Sequence, residues 1–375
     1  MRKILFLISE DWYFVSHRLS LARAARDNGY DVIVATRVGR YKEIIEKEGF
    51  KLVGTGLQRN NRNVLRELAS IFEIYKIIEQ NKPDIIHNVA LKPILYGTFL
   101  AKLIGVPHIV NTFAGLGFVF SSRGLARTLL QQLLSIIFKF EFLGGNVTVV
   151  FQNPDDKELF VKRGIVPESK AFMIKGSGVN TNLFTYSPEP EGLPIVVHIS
   201  RMLWDKGVGD LVDAARQLKR DGVGCRVILI GKPDPKNPSS IDEEVLRSWQ
   251  AEGIIEWWGY RDDIPDILSR SHIAVLPSYR EGLPKVLLEA AASGRPIVAT
   301  DVPGCREICR HNENGYLVQV RDPSDLKRAI QRLVEDKEMR KRFGRKGREL
   351  VLQEFSDDIV VDNMLKIFEA CSRSC

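Results

Sequence analysis

The sequence predicts an α/β protein with two doubly wound units, and three observations support this. Short apolar runs alternate with helical patterns along the whole chain of 375 residues. The runs are apolar at nearly every position, as in parallel strands buried on both faces. A segment at 186–194 with three prolines and a glycine separates two such alternations. We therefore predict an N-terminal domain at 1–185, a linker at 186–194, a C-terminal domain at 195–355 and a final helix at 356–375 that packs back on the first domain.

The first half alternates strand and helix from its start. Buried strands are predicted at 4–8, 32–35, 51–53, 85–87, 108–110 and 147–151, with helices at 17–28, 41–48, 63–80, 93–104, 123–140 and 154–163. The first apolar run follows a basic residue, like a signal peptide. It ends in Ser9-Glu10-Asp11 without a small-residue cleavage site, so a buried first strand is the better interpretation.

The second half repeats this plan. Strands are predicted at 195–199, 226–230, 254–257, 273–276, 297–299 and 316–318, with helices at 207–219, 241–251, 263–270, 284–293, 323–335 and 337–353. Doubly wound domains bind ligands at the carboxyl ends of their strands. Two of them are expected to face each other across a cleft.

Charge and cysteine content narrow the function classes. The net charge of +7 is uneven, because residues 1–190 carry 25 Lys and Arg against 17 Asp and Glu. A basic first half indicates a polyanionic partner. An anionic membrane surface is favoured over nucleic acid, since no nucleic-acid motif or dense basic helix is present. The five cysteines show no CxxC spacing, which predicts reduced thiols in a cytoplasmic protein and no zinc site.

The most informative motif is Glu281-Gly-Leu-Pro-Lys-Val-Leu-Leu-Glu289, which follows a predicted strand. Pro284 suits a first helical turn, so Glu281 precedes the helix and Glu289 lies in its second turn. Between the two carboxylates lie Gly282 and Leu283, at a helix N-terminus that favours phosphate. A nucleotide-sugar would fit this arrangement. The alternative is a capping carboxylate with a solvated helix residue.

A second cluster, Ser200 to Gly207, follows another strand of the same predicted sheet. Arg201 offers a planar fork and Lys206 a point charge, which together suit a diphosphate. The alternative is a surface turn with two solvated cations. A third stretch places Tyr260 and Arg261 where they could flank a nucleotide base, although Asp262 or Asp263 as a plain helix N-cap is an equal alternative.

The first half supplies candidates for the acceptor side. They are His17, Arg18, His87, Lys92, Gly115 and Gly117. His17 is either a phosphate contact or a packing histidine, and His87 either faces the cleft or lies in the core. Lys92 is a candidate for an anionic acceptor, and the two glycines permit close backbone approach.

Residues 118–143 form an apolar stretch with basic flanks, interrupted by polar side chains, and fall short of the roughly 20 apolar residues of a spanning helix. One interpretation is a core helix of the first domain. The other is a helix that lies on the inner membrane surface.

The chain resembles the retaining GT-B glycosyltransferases of glycosyltransferase family 4 over nearly its whole length. Three features carry the resemblance, in this order along the chain: Arg201 with Lys206-Gly207, Leu276-Pro-Ser278, and the glutamate pair. The resemblance implies that Glu281 contacts the donor sugar, Glu289 the ribose, and Arg201 and Lys206 the diphosphate. It also implies that no metal or other cofactor is needed.

The first loop and the Gly-Leu-Gly at 115–117 look more like the bacterial subgroup that extends undecaprenyl-diphosphate-linked sugars. We therefore expect a retaining enzyme, peripheral to the cytoplasmic membrane, that moves a hexose or N-acetylhexosamine from a UDP-sugar to a polyprenyl-diphosphate-linked saccharide. The alternatives are a UDP-sugar epimerase of similar fold and a non-catalytic two-lobed sugar-binding protein.

Overall fold

The computed structural model describes residues 1–58, 63–115 and 125–373. The chain divides into two compact units: unit 1 is Met1–Ser177 with Asp358–Cys375, and unit 2 is Gly178–Asp357. The division falls at 177/178 instead of 185. Backbone hydrogen bonds give the reason, because Val179 N donates to Phe355 O and Asp357 N donates to Val179 O, each at 3.0 Å. These bonds hold the start of unit 2 against its end.

Unit 1 contains a parallel sheet of seven strands in the described residues, in the order β3-β2-β1-β4-β5-β6-β7. The strands are β1 (Arg2–Glu10), β2 (Tyr30–Arg37), β3 (Lys51–Gly54), β4 (Ile85–Val89), β5 (His108–Phe113), β6 (Val147–Phe151) and β7 (Ala171–Met173). The helices are α1 (Asp11–His17), α2 (Leu19–Asp27), α3 (Lys42–Lys47), α4 (Val64–Asn81), α5 (Leu91–Ile104), α6 (Leu125–Glu141) and α7 (Pro154–Lys162).

Strand β1 shows why this stretch is apolar at nearly every position. Leu5 and Leu7 pack into one core of unit 1, whereas Ile4 and Phe6 pack into another. Successive side chains point to opposite faces of a strand, so both faces of this sheet are covered. The last helix, α15 (Asp357–Arg373), contributes its apolar side to the second of these cores.

Unit 2 contains a second parallel sheet, of six strands, in the order β10-β9-β8-β11-β12-β13. The strands are β8 (Ile195–Ile199), β9 (Arg226–Ile230), β10 (Glu256–Trp257), β11 (Ile273–Leu276), β12 (Ile297–Thr300) and β13 (Gly315–Val318). The helices are α8 (Val208–Arg220), α9 (Glu243–Ala251), α10 (Ile264–Ser269), α11 (Lys285–Ala292), α12 (Cys305–Ile308), α13 (Pro323–Glu335) and α14 (Lys337–Leu350), with a π-helical turn at Val351–Phe355. The predicted fold class is confirmed.

Two local predictions were wrong. The segment between the predicted strand at 4–8 and the predicted helix at 17–28 contains helix α1, so His17 ends a helix instead of starting one. The Asp11 carboxylate holds this helix in place, accepting N–H bonds from Gly39 and Tyr41 at 2.7 and 3.0 Å. Pro284 is the N-cap of α11 with ψ 112°, and the helix begins at Lys285.

No helix within the described ranges is long and apolar enough to cross a bilayer. The 118–143 segment contributes α6, and its residues 118–124 lie outside the described part of the chain.

Candidate active site

The loops that follow β8 and β11 meet at the carboxyl edge of the unit 2 sheet. These two strands are neighbours, and the chain continues from them to opposite sides of the sheet, which makes this the switch point of a doubly wound fold. Tyr279 N donates to Asp205 O at 2.9 Å, and the Ser278 hydroxyl donates to the same oxygen at 3.3 Å. The two predicted clusters therefore lie side by side.

Two glycines allow this close approach. Gly207 has φ +69°, and a Cβ there would lie 2.0 Å from Pro277 O. Gly304 has φ +80°, and its Cβ would lie 2.3 Å from Gly282 O. No side chain fits at either position, since both distances are far below van der Waals contact. The loops after β8, β11 and β12 are thus packed backbone to backbone.

Lys206 and Glu281 form an ion pair at the centre of this arrangement. The Lys206 ammonium donates to Glu281 Oε1, and their side chains are only 22% and 11% exposed. Lys206 ends a short 3-10 helix, Trp204–Lys206, and Glu281 lies in the loop before α11. Two separate loops thus bring an ammonium group and a carboxylate into contact at a partly buried position.

Arg201 is paired as well, with a residue that the sequence did not single out. Its Nη1 donates to Asp234 Oδ2 at 2.6 Å, with side chains 35% and 27% exposed. Asp234 lies in the loop after β9, and its backbone N donates to Ser240 Oγ at 3.0 Å. Its position after a strand next to β8 was the signal that could have identified it.

A buried histidine supports the loop that carries Arg201. His198 Nδ1 lies 3.0 Å from Val275 O, and its Nε2 lies 2.7 Å from Ser200 Oγ. Burial, with a smaller effect of the Lys206 charge, lowers the pKa of His198 to about 4. The ring is therefore neutral at physiological pH. It connects the ends of β8 and β11, and sequence reasoning missed it because it lies inside an apolar strand.

Glu289 lies in the second turn of α11, as predicted. Burial raises the pKa of its carboxyl to about 7, Asp357 raises it further, and Lys285 opposes the shift. Its carboxylate accepts no hydrogen bond from any described residue, so its oxygens are available to a ligand hydroxyl. Of the two residues between the glutamates, Gly282 places its carbonyl against Gly304, and Leu283 packs against the core.

Tyr260 and Arg261 lie in the loop after β10, which the Gly231 N to Gly259 O bond of 2.7 Å connects to the loop after β9. The Lys232 ammonium lies 5.5 Å from the centre of the Tyr260 ring. Arg261 Nε donates to Asp263 Oδ1 at 2.8 Å. Asp263 is the N-cap residue of α10, but its side chain makes no capping bond.

In unit 1, Arg18 is the acceptor-side candidate with an unusual environment. Its side chain is 4% exposed, and Nη1 donates to His17 O at 2.9 Å. Nε has no acceptor among the described residues. Burial lowers the pKa of Arg18, and no carboxylate offsets this. Together with Thr112 and Gly176, Arg18 lines a small cavity at the carboxyl edge of the unit 1 sheet.

The other candidates of unit 1 are less accessible. His17 stacks on Tyr13 at 4.1 Å between ring centres and lines the same cavity as Arg18. His87 is fully buried, its Nε2 lies 2.8 Å from Thr112 Oγ1, and burial lowers its pKa well below the usual value, so it is a core residue. Lys92 donates to Glu67 Oε1 at 2.8 Å. Gly115 has φ +98°, and Gly117 lies outside the described residues.

In the part of the chain that the structure describes, no three His, Cys, Asp or Glu side chains lie together in a way that could hold a metal ion. The geometry thus comprises two cations, each held by a carboxylate, a third carboxyl on the following helix, and a helix N-terminus without a side-chain cap. These are groups that bind a diphosphate and sugar hydroxyls.

Comparisons with solved structures show the same architecture. Sucrose-phosphate synthase of Thermosynechococcus elongatus superposes with a TM-score of 0.81 at 18% identity, over 100% of both chains. HepE of Anabaena, solved with UDP and glucose, gives a TM-score of 0.78 at 17% identity over 99% of this chain and 100% of that one. The protein therefore has the GT-B fold of two doubly wound domains.

Family models identify the domains individually. Residues 180–350 match "Glycosyl transferases group 1", and residues 3–153 match "Glycosyl transferase 4-like". The two matches together cover most of the chain. The protein therefore belongs to the glycosyltransferases that combine these two domains.

Two curated relatives match both halves of the chain. The N,N'-diacetylbacillosaminyl-diphospho-undecaprenol alpha-1,3-N-acetylgalactosaminyltransferase of Campylobacter jejuni is 28% identical over 94% of both proteins. The UDP-Gal:alpha-D-GlcNAc-diphosphoundecaprenol alpha-1,3-galactosyltransferase of Escherichia coli is 23% identical over 74% of this chain and 73% of the relative.

Proposed function

We propose that this glycosyltransferase moves a hexose or N-acetylhexosamine from a UDP-sugar to a polyprenyl-diphosphate-linked saccharide, with retention of configuration and without a metal ion. The observation that carries the proposal is the Lys206–Glu281 pair beside Arg201, at the switch point of the unit 2 sheet. The names of the two curated relatives, both of which act on undecaprenyl-diphosphate-linked sugars, support the acceptor class.

Departure of UDP concentrates negative charge on the diphosphate. Lys206, Arg201 and the N-terminus of α11 are the groups that stabilise this charge in the transition state. Glu281, released from Lys206 as the diphosphate binds, accepts hydrogen bonds from the sugar hydroxyls. Glu289 accepts from the ribose hydroxyls with carboxyl oxygens that Lys285 influences by its charge but does not hydrogen-bond.

In the transfer step, the bond between the anomeric carbon and the diphosphate oxygen breaks, and the acceptor hydroxyl forms a bond to the same carbon from the same face. The hydroxyl proton passes to the departing phosphate oxygen. No side chain is required as a nucleophile in this step. Arg201 and Lys206 neutralise the negative charge that develops on the departing diphosphate, which a metal ion would otherwise do.

On the acceptor side, we assign the anionic group of the lipid-linked substrate to Arg18. The Arg18 guanidinium is buried, and its Nη1 donates to the neighbouring His17 carbonyl. No carboxylate offsets the cost of burying its charge, so this charge is poorly compensated. The cavity beside Arg18 encloses only about 10 Å³, so a diphosphate would meet the guanidinium at the mouth of the cavity and supply the missing acceptors there. His17, which lines the same cavity, would provide a further contact.

Docking on the inner membrane surface belongs to the same proposal. Helices α5 and α6 expose apolar side chains to solvent; the largest are Phe99 (57%), Leu103 (66%), Leu129 (61%), Leu133 (55%) and Phe140 (67%). Buried Leu134 and Phe138 of α6 pack into unit 1, so this helix also serves as the predicted core helix. Burial raises the pKa of Glu141 to about 8, which leaves this region without a negative charge at neutral pH.

A donor panel tests the reaction. UDP-, GDP- and ADP-sugars are incubated with short polyprenyl-diphosphate saccharides, with and without EDTA. We expect transfer from a UDP-sugar only, unchanged by EDTA, and an α-linked product by NMR. Transfer from GDP- or ADP-sugars alone, loss of activity in EDTA, or inversion at the anomeric carbon contradicts the corresponding part of the proposal. Epimerised UDP-sugar formed without acceptor would indicate the epimerase alternative.

Vesicle sedimentation tests the membrane surface. The wild type is expected to sediment with vesicles that contain phosphatidylglycerol, and Leu133→Gln/Phe140→Gln is expected to sediment much less. Leu352→Gln, which alters an exposed leucine of unit 2, is the matched control. Equal sedimentation of all three proteins would contradict the assignment to α6.

A further inference from the structure

A second polar cavity lies in unit 2, at the amino edge of its sheet. It encloses about 180 Å³ between the 186–191 segment, the residues just before β11 and β12, and the start of α14. The Lys206–Glu281 pair lies at the opposite, carboxyl edge of the same strands. This cavity is therefore separate from the proposed donor site.

Arg295 supplies the cavity with a buried cation. The residue is 1% exposed, and Nη2 donates to Ser187 O at 2.6 Å, with further contacts to Ser187 Oγ and Pro188 O. Nε has no acceptor in the described ranges. Burial lowers the pKa of Arg295 to about 10, and the nearby Glu189 charge offsets this only in part. The guanidinium is thus charged at neutral pH, with donors left over.

The neighbouring acids do not neutralise Arg295. Glu189 binds Arg340 through two bonds of 2.8 and 3.0 Å, with both side chains nearly buried, so its oxygens are already occupied. Glu191 is 90% exposed and pairs with Lys337 at 3.1 Å. The wall residue His272 accepts from Ile195 N and donates to Pro190 O, and burial lowers its pKa, so it adds no charge.

Lys337 and Lys341 stand at the rim of the cavity, 44% and 42% exposed, and Lys341 also pairs with Glu338 of the same helix at 2.7 Å. With Arg295 and Arg340 they bring four cations to a space walled by two carboxylates, Glu189 and Glu191. The volume is many times the 10–15 Å³ or so that one water requires, so a polyatomic ion fits. An oxyanion would accept from the Arg295 fork and from the rim ammonium groups.

We propose that this cavity is a second anion site, which binds a small soluble phosphate or phosphate monoester through Arg295, Lys337 and Lys341. Because Arg295 is recessed, the ligand must enter the cavity, which favours a free anion over a phosphate fixed in a lipid headgroup. The 186–191 segment forms one wall, so a bound anion would stabilise this segment against α14. The assignment is independent of the proposed reaction.

The test measures binding of inorganic phosphate by calorimetry to the full chain carrying Arg18→Met/Arg201→Ala/Lys206→Ala, which removes the cation of the proposed acceptor site and those of the proposed donor site. We expect one saturable site. Arg295→Lys, added to this background, is expected to weaken binding at least tenfold, because the ammonium cannot reproduce the guanidinium fork. Arg220→Lys, at an exposed arginine of α8, is the matched control and should leave binding unchanged.

A second variant covers the case in which Arg295→Lys does not fold. Lys337→Gln/Lys341→Gln alters exposed side chains only and should weaken phosphate binding severalfold while circular dichroism stays unchanged. Absence of saturable phosphate binding in the Arg18→Met/Arg201→Ala/Lys206→Ala background would overturn the proposal. So would binding that both cavity variants leave unaltered, or binding to phosphatidic acid vesicles without binding of free phosphate.

Discussion

Replacing Lys206 by alanine separates the catalytic use of the Lys206–Glu281 pair from its contribution to folding. The substitution removes a cation assigned to the leaving diphosphate. It also leaves Glu281, 11% exposed, without its counter-ion. Both consequences follow from one contact, but they appear in different measurements.

The expected magnitudes differ as well. Loss of a preorganised donor to developing charge lowers kcat by about 10²–10³-fold. An isolated buried carboxylate costs about 3–5 kcal/mol when fully enclosed. Because both side chains of this pair retain some exposure, we expect a smaller loss, about 1–2 kcal/mol of unfolding free energy.

The double variant Lys206→Ala/Glu281→Gln distinguishes the two effects. Neutralising residue 281 removes the unpaired charge, so stability should return to near the wild-type value while transfer remains lost. The assays are urea unfolding and steady-state transfer at saturating donor and acceptor. Lys219→Ala, which changes an exposed lysine of α8, is the control for the loss of a lysine as such.

Two results would refute this reasoning. A Lys206→Ala enzyme that keeps more than a tenth of the wild-type kcat cannot have lost the principal support of the leaving group. A double variant less stable than Lys206→Ala alone would show that Glu281 stabilises the fold through contacts other than its ion pair.

Three further predictions concern other buried or paired charges. Glu141 has a pKa raised to about 8, so its contribution to stability is complete below about pH 4.5 and is lost as the pH rises through 8. Glu141→Gln should therefore be more stable than the wild type at pH 9, by about 1–3 kcal/mol in urea unfolding, and equal to it at pH 4; an unchanged pH profile would contradict this. Asp234→Asn frees Arg201 from a partly exposed ion pair and should lower the donor KM by up to about fivefold, whereas Asp213→Asn should not. Arg18→Met should raise unfolding stability, because it replaces a poorly paired buried cation by an apolar chain, and raise the acceptor KM at least tenfold with donor hydrolysis unchanged; a destabilised variant with a normal acceptor KM would show that Arg18 is structural.

The fold could be predicted from the sequence because most strands are recognisable as short runs of apolar residues. In β1, neighbouring residues enter different cores, so the whole strand is apolar and reads as buried on both faces. Strand β7 was missed because it has three residues and exposes Phe172 and Met173. Helix α1 was missed because its side chains, Asp-Trp-Tyr-Phe-Val-Ser-His, have low helix propensity, and its position depends on the Asp11 contacts to Gly39 and Tyr41.

The site was only half predictable for a different reason. Lys206 and Glu281 could be placed together because each follows a strand, and neighbouring parallel strands end at one edge. Their partners could not be placed in this way. Asp234 meets Arg201 through a loop whose path depends on the Ser240 contact, and His198 is hidden in an apolar run. His87 shows the reverse error: the predicted strand ended at this residue, but β4 continues to Val89, and the rings of Phe6 and Phe368 pack against the imidazole.

In the proposed donor site, each cation is compensated by a carboxylate from another loop. A half-buried cation such as that of Lys206 is poorly solvated, so its charge must be compensated within the protein. Glu281 and Asp234 do this from loops that also hold the cations in position. In the proposed reaction, binding of the diphosphate displaces the two acids with different consequences. Glu281 stands next to the N-terminus of α11 and is released toward the sugar, whereas Asp234, on the β9 side, has no assigned substrate contact. The same exchange therefore predicts opposite kinetics: neutralising Asp234 should strengthen donor binding, whereas neutralising Glu281 should abolish transfer.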